Sequence, residues 1–64
     1  MKKPIYEMKK YVDSFNAEAE KDFKVANTYL EIFNIIYNTE YVWINNRISW
    51  FDGKEWRDVA NDLQ

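Results

Sequence analysis

Apolar residues in this chain follow one period as far as Tyr37 and a different one after Asn38, and no single kind of element can satisfy both. From Ile5 onward they fall on a heptad grid. The a positions are Ile5, Val12, Ala19, Ala26 and Phe33; the d positions are Met8, Phe15, Asp22, Tyr29 and Ile36. Only Asp22 breaks the pattern. Beyond Asn38 the texture is aromatic and β-branched, with Tyr41-Val42-Trp43-Ile44, then Asn45-Asn46, then Arg47-Ile48-Ser49-Trp50-Phe51. Two strand-like runs around two asparagines predict a β-hairpin, because Asn accepts the positive φ that a type I′ turn demands. In that register Ile44 faces Arg47, Trp43 pairs with Ile48 and Tyr41 with Trp50.

The helical half is too long to remain one rod inside its own domain. A continuous helix over Pro4–Tyr37 would run about 50 Å, whereas a compact chain of this size is nearer 30 Å across. Asp13-Ser14-Phe15-Asn16 supplies three good N-cap residues, with Glu18 and Glu20 suited to the first turn after them. The expected break therefore lies there, and Glu20–Lys24 becomes an i,i+4 pair inside the second helix. Asp22 on the seam is expected to be accommodated by a rotation that brings Phe23 inward, since an unpaired buried charge costs several kcal/mol.

At the far end Asp52-Gly53 marks a second turn. Lys54 to Leu63 fits either a third strand or a short helix capped by Asp52. Trp56, Val59, Ala60 and Leu63 have helical spacing, which favours the helix. The predicted fold is α+β in a single domain over 1–64. Two N-terminal helices (4–13 and 17–38) pack on an antiparallel hairpin (41–44 and 47–51), with a short helix or third strand over 54–63.

Composition narrows the chemistry. The chain has 64 residues with three Trp, five Tyr and four Phe, but no His and no Cys. A Cys/His zinc site and a disulfide are ruled out, and so are the two side chains most used for catalysis near neutral pH. Ser14, Ser49, Thr28 and Thr39 have no activating base at a recognisable spacing, and one Gly cannot build a phosphate loop. The carboxylate pairs Glu18/Asp22 and Asp58/Asp62 lack the further oxygen ligands of a calcium site. We therefore expect no enzyme, no cofactor and no metal. No apolar run approaches the ~18 residues of a membrane span, and the basic start has no apolar stretch after it. A soluble cytoplasmic protein is expected.

Net charge is −2, made of +3 over residues 1–12, −4 over 13–40 and −1 over 41–64. Four N-terminal lysines (Lys2, Lys3, Lys9, Lys10) in an acidic protein are a weak phosphate footprint. What the chain has in excess is ring area. A domain this short buries only about 60% of its unfolded surface, and both faces of the hairpin carry apolar bulk. The uncovered rings are expected to meet another protein chain, with a homo-oligomer as one form of that contact. Tyr41, Trp43, Arg47, Trp50, Phe51 and Trp56 form the expected partner-binding set, aromatics and Arg being the usual energetic anchors. The predicted function is thus a non-catalytic protein-binding module: a small adaptor, inhibitor or regulator of the kind phages and other compact elements encode. A single-stranded nucleic-acid binder, stacking bases on these rings with Arg47 and Arg57 on phosphate, is the alternative. A carbohydrate platform ranks third.

Overall fold

Asp22, the one polar residue on the seam, is where the chain turns back. In the computed structural model, which describes residues 4–62, helix α1 spans Pro4–Lys21 and helix α2 spans Phe23–Tyr37. Asp22 between them is extended (φ −152°, ψ 96°) and its Oδ1 accepts from the Val25 N–H at 3.4 Å, as an N-cap should. The break expected at 13–16 is therefore displaced to residue 22. Asp13 and Ser14 stay in α1 on its exposed side, where solvent satisfies them without ending the helix. Asn16 turns its side chain elsewhere. Phe23 does not rotate inward either: it remains 43% exposed, edge-on to Trp43 at 5.6 Å. Glu20 and Lys24 consequently lie on different helices rather than one turn apart.

The reversal halves the rod. Eighteen residues of α1 span about 27 Å, which matches the longest dimension of the molecule, 30 Å. Tyr11 meets Phe33 at 6.3 Å and Phe15 meets Tyr29 at 5.7 Å. As one number rises the other falls, so the helices run antiparallel. The turn also resets the buried face. Met8, Val12 and Ala19 of α1 are buried at the a and d positions, whereas α2 buries Ala26, Leu30 and Phe33, which are a and e. The d residues Tyr29 and Ile36 are left 46% and 67% exposed.

Strands β1 (Val42–Ile44), β2 (Arg47–Phe51) and β3 (Trp56–Asp58) make an antiparallel sheet in the order β1-β2-β3. The hairpin register is the expected one, Ile44 opposite Arg47 and Trp43 opposite Ile48. Asn45 and Asn46 take φ of 53° and 61°, the type I′ geometry. The segment expected to be helix or strand is both in turn. Residues Trp56–Asp58 complete the sheet, and Val59–Asp62 form the short helix α3. Asp58 makes the switch by accepting from the Ala60 N–H at 2.9 Å. Asp52 caps no helix. Its Oδ1 takes the N–H groups of Lys54 (2.8 Å) and Glu55 (2.9 Å) in the β2–β3 turn, where Gly53 adopts φ 101°, a region that favours Gly. Leu63 and the N-terminal Lys2 and Lys3 lie outside the described residues.

Two asparagines fasten the helices to the sheet. Asn34 near the end of α2 donates to the Tyr41 carbonyl and accepts from the Tyr41 N–H, both at 3.0 Å, and also accepts from Thr39 Oγ1 at 2.9 Å. Asn16 on α1 accepts from the Ile48 N–H at 2.9 Å, one residue beyond the last β2–β3 pair, Ser49 opposite Asp58. Between these clamps lies one apolar cluster of Met8, Val12, Leu30, Phe33, Tyr41, Ile48 and Val59.

Candidate functional site

Strand alternation divides the expected binding set into two groups. Trp43, Ile48 and Trp50 point toward the helices, and Trp43 and Trp50 are half-buried against the core. Tyr41, just ahead of β1, is 7% exposed and edge-on to Phe33 at 5.8 Å. Burial raises its phenol pKa to about 12. Tyr41, expected in the partner-binding set, is thus a core residue in this fold with little ring area left exposed. The Trp43 indole N–H is buried without a hydrogen-bond partner.

Phe51 and Trp56 point the other way. They face each other across β2 and β3, each 51% exposed, with ring centroids 5.3 Å apart. The same outer face carries Val42 and Ile44, and the Arg47 guanidinium, which donates from Nε and Nη2 to the Asp58 carboxylate. That hydrogen bond and charge hold Asp58 below the ordinary carboxylate range and Arg47 above its own. Arg57 reaches Asp52 at 3.3 Å and Glu55 at 3.4 Å. The backbone N–H groups of Glu55 and Lys54, then Arg57, depress the Asp52 carboxyl. An open notch of about 470 Å³ at this end of the sheet is lined by Glu40, Trp50, Phe51 and Trp56 among others.

A second apolar surface lies on the helix pair, away from the sheet. Tyr11 and Phe15 of α1 and Tyr29, Ile32, Phe33, Ile36 and Tyr37 of α2 line a groove of about 280 Å³. No lining residue is charged. Beside it Ile35 stands 80% exposed. The sequence points to the hairpin for the exposed rings and does not single out this face. The signal was present: α2 has apolar residues at its e and g positions as well as at a and d, with only Lys24 and Glu31 charged in 15 residues. That arc is wider than one neighbouring layer can cover.

Ser49, 5% exposed, donates its hydroxyl to the Arg47 carbonyl at 3.4 Å. Among the described residues there is no group of three or more carboxylates placed to hold a metal ion, and no helix long and apolar enough to cross a membrane. No protein-family model, no curated protein and no solved structure matches the chain.

Proposed function

We propose that this protein is a non-catalytic protein-binding module, a small adaptor, inhibitor or regulator acting in the cytoplasm, that presents the outer face of its sheet to another protein. The observation carrying this reading is the Phe51–Trp56 pair, two large rings tilted against each other across adjacent strands and half in water. A rigid sheet holds them, so little side-chain entropy is lost when a partner covers them. Arg47, aligned by Asp58 at the other end of the face, adds a planar donor of the type found at energetic centres of interfaces. Trp43 and Trp50 support the sheet from below.

The nucleic-acid alternative gains nothing from the geometry. Both arginines of the sheet are engaged by carboxylates, and the residues of α1 and α2 with Asp22 between them hold four Lys against six Asp or Glu. Phosphate would meet repulsion before it met a ring.

The immobilised chain should retain a partner from its source cell. With that partner purified, Trp56→Ala should weaken binding by about 2 kcal/mol or more, with the circular dichroism spectrum unchanged. Equal affinity for the native chain, Trp56→Ala and Phe51→Ala would overturn the reading.

A further inference from the structure

The groove on the helix pair belongs to a different face from the proposed partner surface, and its occupant can be argued separately. We infer that it is a second copy of this chain, docked about a two-fold axis so that α1 and α2 of each protomer form a four-helix bundle with the sheets outermost.

Area supports this first. Tyr11, Tyr29, Ile32, Ile35 and Ile36 are exposed by 43, 46, 49, 80 and 67%. At about 150–200 Å² for a fully exposed large side chain, the lower end suiting Ile, they offer roughly 400–550 Å² of surface, most of it apolar. A stable interface takes about 800 Å² from each partner, of which about 65% is apolar in homodimers, or roughly 520 Å². The patch supplies most of that centre, and the half-buried Phe15 and Tyr37 extend it.

Shape is the second support. An isologous contact needs projection and recess on the same face, because each protomer must offer both. Here Ile36 projects from the wall of a groove of about 280 Å³, large enough for aliphatic side chains. The exposed Ile35 follows the lining residue Ile32 by three positions on the same helix, close enough to be its surface neighbour. Charge is the third. The groove lining carries no charged residue, and the helices around it are net acidic, which disfavours an anionic membrane or a nucleic acid as occupant. A neutral apolar face of the same kind is the fitting complement. A short chain without disulfide or metal also has oligomerisation as its remaining route to a larger core.

Sedimentation equilibrium over a micromolar dilution series tests this. The native chain should sediment at twice its 7.8 kDa. Ile35→Asp changes a side chain that touches little of its own protomer, so it should keep the helical spectrum while raising the dimer dissociation constant on the order of a hundredfold. Ile35→Ser gives the same test with a smaller effect if the charged variant fails to fold. Trp56→Asp, on the opposite side, should remain dimeric, so failure here is distinguishable from failure of the partner reading. A native chain at single-chain mass throughout overturns the inference, including one that co-sediments with phosphatidylglycerol vesicles. So does a dimer that both Ile35 variants leave intact.

Discussion

The helix-pair face and the outer sheet face are both apolar and both uncovered, but they are built differently. On the helix pair the exposed groups are mainly aliphatic knobs around a groove without charge. On the sheet two aromatic rings share their face with an ion pair at its other end. Aliphatic surface gains from contact chiefly by leaving water, so it suits a lasting interface that resembles a core cut in half. Rings that share a face with an aligned Arg can be left in water between encounters and still discriminate among partners. On the two proposals above, self-association and recognition would use different faces of the same short chain.

The comparison would break most visibly at Phe33, which is both core (4% exposed) and floor of the groove. Phe33→Ala should lower unfolding free energy by about 3–5 kcal/mol, read from urea denaturation. A loss under ~1 kcal/mol would mean that the helix face has no rigid backing. Next comes Asn34, which joins the two regions through both backbone groups of Tyr41. Asn34→Ala strands a part-buried N–H and C=O and should cost about 2 kcal/mol. Hydrogen exchange at the Tyr41 amide should quicken more than at β2. Unchanged protection there would show that helix and sheet dock without the clamp.

Tyr41, between the two layers, gives a pH signature. Its pKa is about 12 in the fold against ~10 in the unfolded chain, so the native state holds its proton more tightly. Stability is therefore unaffected by this group below pH ~10 and declines as pH rises from about 10 to 12, by up to roughly 2 kcal/mol. Tyr41→Phe should flatten that decline. A native chain whose denaturation midpoint stays level over this range would place the phenol in solvent instead.

Legibility followed the range of the interaction. The hairpin could be read because Asn45-Asn46 fixes turn and register locally, and the helical period could be read because it repeats. Asp22 was visible as a seam violation but was weighed below the three cap-type residues at 13–16, because each is a reasonable cap by local chemistry. What separates them is long-range. Asn16 holds the Ile48 N–H, 32 positions away, while Val12 just ahead of that site joins the core cluster with Leu30 and Ile48 and Phe15 within it packs on Tyr29 of α2. The 54–63 segment divides at Asp58 for a similar reason. Trp56 has a cross-strand partner in Phe51, whereas Val59, fully buried, belongs to the cluster beneath the sheet. Which hairpin rings stay in water was half legible: alternation separates Phe51 from Trp50 in the sequence, but not which side the helices will cover.

Period, turn chemistry and composition alone determined an α+β chain with an Asn-Asn hairpin, no His or Cys chemistry, and more ring surface than its interior can hold. Tertiary structure decided where the long helix folds back, which phase of each stripe faces inward, and therefore which apolar residues remain in water. Those choices depend on contacts between residues far apart in the chain. Each is a competition among locally similar candidates that only simultaneous packing of both layers can resolve.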